Sequence, residues 1–390
     1  MIESNGRRAG QGDSAARVRD ERPTLSEAGT RPIRALCITE DLDRPTSATF
    51  IGLARAGIDI TVACPASATR KDELATAGVR VLVDATKEWL RPSGLRAFRE
   101  ELVNRRYDIL HLFSNKALQW GLVASRGLPA RIIAYRGIVG NVSFFNPIAW
   151  LRFLNPRIDR IVCVADAVRD YFLAMRPARW RIPEHKLVRI YKGHDPAWYE
   201  HEPADLASLG VPAGAFVVCC TANYRPRKGI EYLVDAVAAL PQDVHLVLVG
   251  SMDDPRLSRR IERSGAAARI HRVGVRHDAP AIAAAADVFV LPSIKREGLA
   301  RSLIEAMIMG TPPVVTNCGG SPELVVHEEC GLVVPVRDSA ALAAAVERLR
   351  RDADLRRRLG DAARRRILEH FRIDGTIAAT LALYRELAGG

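Results

Sequence analysis

The sequence predicts an α/β protein made of two doubly wound, Rossmann-like domains that face each other across a cleft. Three observations carry this reading. Short apolar runs rich in β-branched residues alternate with helical stretches of roughly ten residues, the pattern of βαβ units around a parallel sheet. The alternation comes as two series, separated by a stretch rich in Gly, Pro and His. The chain of 390 residues also exceeds what one core holds, since single cores stop growing at roughly 250–300 residues.

The first series opens at Ile33 with IRALCITE, a short buried-strand run. ATFIGLARAG follows at helical spacing, with Gly57 as its stop. IDITVACP, VRVLVDA, YDILHLFS and RIIAYRG continue as strands, and IDRIVCVADAVRDYF reads as strand then helix. The rhythm breaks in KLVRIYKGHDPAWYEHEPADLASLGVP, which places an interdomain linker near 193–212. The second series runs AFVVCCTA, GIEYLVDAVAAL, VHLVLVG, RLSRRIERSG and RIHRVGV. It ends with DVFVLPS, a helix from about Leu299, TPPVVT, a helix from Pro322, and GLVVPV. The expected organisation is a polar tail over 1–30, a first domain over 31–195, a second over 196–370, and a C-terminal helix over 371–390 packing back on the first domain. Open α/β sheets bind ligands outside the carboxyl ends of their strands, so two facing sheets suit a reaction between two bulky substrates.

Composition narrows the function classes. The formal net charge of +12 and pI near 9.7 point to an anionic partner: nucleic acid, a membrane surface or a phosphorylated substrate. Much of the arginine lies in 349–372, where it alternates with apolar residues and acids, as on a solvated helix face. No recognised nucleic-acid motif accompanies the charge, so nucleic acid is not an expected partner. Seven cysteines without regular spacing read as buried free thiols in a reducing cytosol. No run reaches the roughly 18–20 apolar residues of a membrane span. The N-terminus has no apolar signal segment, which discounts Asn141-Val142-Ser143 as a glycosylation acceptor. These features predict a cytoplasmic protein. The aromatic stretch 138–156 reads as an ordinary core helix with a loop, the alternatives being an acceptor lid or a membrane-docking element.

The segment 287–323 is where chemistry becomes specific. A buried strand ends at Pro292, a polar loop follows, and a helix opens after Glu297-Gly298. The first turn of such a helix offers unpaired N–H groups and the positive dipole end to a diphosphate. Gly298 is expected to let backbone approach a ligand closely. Glu297 and Glu305 are separated by seven residues, so that one carboxylate meets the sugar end of a ligand and the other the ribose end. Upstream, Arg225 and Lys228 follow a strand, with Gly229 starting a helix. Cations there stabilise the charge that grows on a departing diphosphate.

The Glu-x7-Glu pattern in EGLARSLIEAMIMGTPPVV, followed by GGSPELV, resembles the donor site of family-4 retaining glycosyltransferases of the GT-B fold (glycosyl transferases group 1). The likeness extends through GLVVPVRDSAALAAAVERLRRD. It implies that Glu305 hydrogen-bonds the donor ribose, that Glu297 contacts the donor sugar, and that backbone amides near Gly298, Leu299 and Ala300 hold phosphate and sugar. Arg225 and Lys228 would clamp the pyrophosphate in Arg225-Pro226-x-Lys228-Gly229. It also implies an acceptor-binding first domain, a donor-binding second domain and retention at the anomeric carbon.

Other candidates are less specific. His111 ends YDILHLFS and is expected to point toward the cleft mouth, near the reacting sugar or as a packing residue. Arg136 and Gly137 are expected to face the same cleft and contact acceptor or donor phosphate, and the base pocket is expected near Val273. His194 and Asp195 read mainly as a hinge and turn. Glu40-Asp41-Leu42-Asp43 contains an Asp-x-Asp, but Arg225 and Lys228 already supply the charge a metal would bring, so neither metal nor cofactor is expected. EDLDRPTSATF also replaces the glycine-rich first loop common in the resembling family, which puts the acceptor side in question. The expectation is therefore a hexosyltransferase-type glycosyltransferase of envelope glycan or lipopolysaccharide synthesis. UDP-sugar is the leading donor, with GDP and ADP open, and the acceptor is a glycan or a lipid-linked molecule, with peripheral contact at the inner membrane face. A nucleotide-sugar epimerase and a non-catalytic nucleotide-sugar-binding partner are the alternatives. A glycogen- or sucrose-synthase-like enzyme is disfavoured by the small first domain.

Overall fold

A computed structural model describes residues 31–175 and 181–389; the polar tail expected over 1–30 lies outside them. From Ile33 onward the chain forms one body with two parallel sheets. The first sheet contains β1 (Arg34–Ile38), β2 (Asp59–Cys64), β3 (Arg80–Val83), β4 (Ile109–Leu112), β5 (Arg131–Arg136), β6 (Arg160–Cys163) and β7 (Leu187–Arg189). The second contains β8 (Phe216–Thr221), β9 (Val244–Val249), β10 (Ile270–Gly274), β11 (Val288–Leu291), β12 (Pro313–Thr316) and β13 (Leu332–Val334). The seven strands of the first follow the order β3-β2-β1-β4-β5-β6-β7, and the six of the second β10-β9-β8-β11-β12-β13.

Both sheets carry helices on both faces, so their central strands are apolar throughout rather than alternating. VHLVLV of β9 and VFVL of β11 are buried at every position. The expected strands all form, and one more joins them. Leu187–Arg189, in the stretch where the sequence rhythm breaks ahead of the expected linker, pairs in parallel with β6 because Leu187 has a buried place beneath the sheet edge. The seven cysteines are free and buried. Among the described residues no helix is long and apolar enough to cross a membrane.

The chain passes between the domains twice. The first passage follows β7, and the second comes at Phe371–Ile373. The two are tied together: His194 N donates to Phe371 O at 2.8 Å, and Ile373 N donates to His194 O at 3.1 Å. Gly193 makes this approach possible, since a Cβ there would sit 2.1 Å from Arg372 O. Beyond it, the helix Ile373–Ala388 packs on the helix Arg44–Arg55 of the first domain. Gly52 is the point of closest contact, with a built Cβ only 2.4 Å from Ile377 Cδ1.

In each sheet the first strand lies inside and the chain winds outward from it in both directions. Winding reverses between β1 and β4 in the first sheet and between β8 and β11 in the second. The loops leaving those strands diverge, and the crevice they leave is where ligands bind in such sheets.

Candidate active site

A cleft of about 920 Å³ lies between the carboxyl ends of the two sheets. On the first domain it is lined by the loop Asp41–Pro45, by Tyr135, Gly137 and Ile138, and by Lys192. On the second it is lined by Asn223, Arg225, Lys228, Glu297 and the segment Leu299–Ser302 with Glu305.

The two loops at the switch point of the second sheet are laced together. Ile294 N donates to Arg227 O at 2.9 Å. Gly229 has φ +66°, and a Cβ there would meet Pro292 O at 2.1 Å, so only glycine lets the loops close. The lacing brings Lys228 Nζ to 2.8 Å from Glu297 Oε2, which also accepts from Ser293 Oγ at 2.6 Å. Lys228 and Glu297 expose only 18% and 9% of their side chains. Arg225 stands at the cleft wall one residue before a short 3-10 turn, and no side chain caps that turn. Arg296 adopts φ +64°, a strained conformation for a branchless but non-glycine residue. Such strain gathers at functional loops.

The helix predicted from Leu299 runs Arg301–Ile308, and no side chain caps its N-terminus at Ala300. Its first-turn N–H groups and dipole therefore face the cleft beside Leu299 and Ala300. Glu305 lies one turn further in. Burial pushes its carboxyl up to about 7; the Arg301 guanidinium at 3.4 Å and the Tyr199 hydroxyl work against this, and the Asp43 carboxylate adds to it.

Across the cleft, Asp43 caps the helix Arg44–Arg55 by accepting from Thr46 N at 3.1 Å, while its other oxygen meets Lys192 Nζ at 2.6 Å. Burial tends to raise the Asp43 carboxyl, and the Lys192 ammonium more than reverses that, leaving it below the usual range. Arg301 of the second domain comes to 4.0 Å from the same carboxylate. The Asp-x-Asp thus contributes a helix cap and an ion pair through Asp43. No group of three potential metal-ligating side chains occurs among the described residues.

Several sequence expectations change here. Gly298 makes a close approach to protein: a Cβ would sit 2.1 Å from Gly137 O of the first domain. His111 is buried and turned from the cleft mouth. Its Nδ1 lies 2.9 Å from the Tyr384 hydroxyl, and its ring packs on Phe113 at 4.2 Å. It lines a small cavity of about 40 Å³ that shares Tyr135 and Lys192 with the cleft, and burial holds its imidazole near 3. Arg136 is likewise drawn inward, because the carbonyls of Ile138 and Gly140 accept from its guanidinium, which lies 5.0 Å over Phe153. Its neighbour Gly137 does reach the cleft. Val273 is partly buried against the core, and nearby Val275, Arg276 and His277 line the cleft instead. His194 is buried, with Nδ1 2.6 Å from the Tyr199 hydroxyl, and Asp195 caps the turn Pro196–Tyr199.

The stretch 138–156 forms no core helix. It holds one short helix, Pro147–Trp150, and leaves Phe145 (87%), Ile148 (49%) and Leu151 (57%) exposed. Residues the sequence reading missed are Lys192, Tyr199 and Arg301. Of these only Arg301 had a local signal, its place in the first turn after the glutamate loop.

Comparison with known proteins agrees with this geometry. Residues 215–352 match the family described as glycosyl transferases group 1, and residues 50–198 match glycosyltransferase family 4. The chain is 32% identical over 250 residues to an alpha-maltose-1-phosphate synthase of Mycolicibacterium smegmatis, covering 59% of this chain and 64% of that one. It is 33% identical to a lipopolysaccharide core biosynthesis glycosyltransferase of Rhizobium meliloti, covering 46% and 52%. It is 30% identical to a phosphatidyl-myo-inositol mannosyltransferase of Mycobacterium leprae, covering 67% and 68%. The match thus spans between about half and two thirds of these relatives' own lengths. Among solved structures, the Anabaena protein HepE in complex with UDP and glucose superposes with a TM-score of 0.74 at 23% identity, covering 91% of this chain and 99% of that one. With two facing parallel sheets, both halves matched in order and a relative of 30% identity matched over two thirds of each chain, the chain belongs to the family-4 glycosyltransferases (glycosyl transferases group 1) of the GT-B fold.

Proposed function

We propose that this protein transfers a sugar from a nucleoside diphosphate sugar, UDP being the first candidate, to an acceptor hydroxyl with retention of configuration. The observation that carries the reading is the convergence of Arg225, Lys228 and an uncapped helix N-terminus in one cleft, with Glu305 one turn into that helix lining the same cleft. A diphosphate bound there meets two cations and a row of N–H donors, and the reaction as read needs no metal ion or cofactor. Arg offers a fork and Lys a point charge to the leaving phosphate. Glu305 accepts from the ribose hydroxyls, and Glu297, held in place by Lys228 and Ser293, turns its free edge to the donor sugar. The wall at Val275–His277 borders the base.

In the proposed step, the bond from the anomeric carbon to the diphosphate oxygen breaks. The acceptor oxygen bonds to that carbon from the same face, and its proton passes to the departing phosphate. Lys228 and the helix N-terminus favour this step because the phosphate gains charge as the bond opens.

The acceptor is proposed to be an envelope glycan or lipid-linked molecule, presented at the cytoplasmic face of the membrane. The net charge of +12, the exposed Phe145, Ile148 and Leu151, and the likeness to a lipopolysaccharide core enzyme support that part. The test is a screen of nucleotide sugars by thermal shift, followed by mass spectrometry and anomeric NMR of products with candidate acceptors. Release of free nucleoside diphosphate coupled to an α-linked product from an α-linked donor supports the reading. Interconversion of the donor sugar without transfer refutes it.

A further inference from the structure

We infer that Glu323 is a positioning residue, whose carboxylate sets the register of the donor domain against the acceptor domain for transfer. The helix Asp166–Ala174 of the first domain begins after Ala165 and has no side-chain cap of its own. The carboxylate that completes it comes from the other domain: Glu323 Oε2 accepts from Asp166 N at 2.7 Å and Oε1 from Ala167 N at 2.8 Å. Two charge-assisted bonds from one carboxylate to adjacent amides fix both distance and orientation. The helix dipole adds attraction at that end.

Glu323 is itself held from behind. Arg366 donates to the carbonyls of Glu323 and Leu324 at 2.7 and 2.8 Å, and both lie within or at the end of the short helix Ser321–Leu324. Among the described residues no cation pairs with its carboxylate, so the helix N-terminus supplies the favourable charge; the Tyr191 hydroxyl donates to the neighbouring Asp166 Oδ2 at 3.4 Å. The residues beside it have no room to slide. A Cβ at Gly320 would lie 3.0 Å from Ala165 Cβ and 2.4 Å from Gly298 O, and one at Gly298 would lie 2.1 Å from Gly137 O. The backbone that carries Glu297 and Leu299 therefore rests against the ends of β5 and β6, and Glu323 pins that contact.

This role rests on the cleft being the site of transfer. Misplacement by about an ångström far from the reacting atoms can cost on the order of 100-fold in rate. For Glu323→Ala we expect turnover to fall by about 10- to 100-fold. Affinity for UDP, which the second domain binds alone in this reading, should stay within about twofold, as should KM for the donor. Hydrogen exchange in a peptide covering 164–174 should accelerate, and small-angle scattering should show a larger radius of gyration. Glu323→Gln, which keeps one acceptor, should fall between.

Adding Ala165→Ser to Glu323→Ala separates the two explanations. A serine there caps the helix locally, so it should restore exchange protection without restoring turnover. Recovery of turnover by Ala165→Ser would overturn the inference in favour of simple helix stability. Wild-type exchange together with wild-type turnover in Glu323→Ala would overturn it outright. Exchange and scattering need no substrate. A wild-type chain inactive with every nucleotide sugar would therefore refute the transferase reading, and exchange would still decide whether Glu323 joins the domains.

Discussion

Glu305 carries opposed demands, and replacing it by glutamine tests them together. Its carboxyl is buried beside the Asp43 carboxylate and is raised from an ordinary 4.5 to about 7. A carboxyl whose folded pKa lies above its unfolded value favours the folded state while protonated. That contribution is complete below the unfolded pKa and is lost as pH climbs through the folded one. At about 1.4 kcal/mol per pH unit, the rise from 4.5 to about 7 amounts to roughly 3 kcal/mol, carried by the wild type above neutrality. Glutamine has the same shape and no charge to bury. Glu305→Gln should therefore be more stable than wild type, by about 1.5 kcal/mol at pH 5.5 and roughly 3 kcal/mol at pH 8.5.

The assay is equilibrium urea unfolding of both proteins at the two pH values, with UDP titrated calorimetrically at pH 8.5. Donor binding should move the other way. Loss of a charged acceptor for the ribose hydroxyls should weaken UDP about 10- to 100-fold. A stability difference that is the same at both pH values, or a variant less stable at pH 8.5, would refute the burial argument. Unchanged UDP affinity would remove Glu305 from the ribose site.

Lys228→Met leaves the buried Glu297 carboxylate with Ser293 as its remaining partner. It should lower stability by about 3 kcal/mol and turnover by at least about 100-fold; thermal melts and steady-state kinetics check both. Gly298→Ala drives a methyl into Gly137 O and should cost about 1–3 kcal/mol and loosen the domain contact, read by calorimetry and small-angle scattering. His111, held near 3, is neutral from pH 5 to 9. A His111→Asn variant that folds should keep the wild-type shape of the kcat–pH profile, and a lost inflection in that range would return His111 to the chemistry.

The second-domain wall of the cleft was legible because its residues sit in local order: a strand end, a glutamate loop and a helix start within one short segment. Glu297, Glu305, Arg225 and Lys228 fall at the switch point of one sheet, where backbone geometry follows from that order. The first-domain side of the cleft assembles from distant pieces. Asp43 was legible as an Asp-x-Asp, but its use depends on Lys192, 149 residues away. Strand position alone misdirected His111 and Arg136. Tyr384 arrives from the last helix to engage the first, and nearby carbonyls capture the second. Gly298 was singled out for close approach to a ligand, and the contact the structure shows there is with Gly137 of the other domain. β7 escaped notice because an edge strand of three residues has too few positions to show periodicity.

The last helix also orders the events of biosynthesis. Leu383, Tyr384 and Leu387 belong to the same buried cluster as Phe50, Leu53 and Ile109 of the first domain. The second domain's sheet and the helices through His370 lie in one contiguous stretch, so that domain can complete its core as it leaves the ribosome. The first domain emerges earlier yet keeps one apolar face uncovered until the chain through Leu387 is made. The order of synthesis and the order in which the cores can be completed therefore differ, in contrast to the usual N-terminal-first sequence. The half that is made first is completed last, by a helix that follows the whole of the second domain.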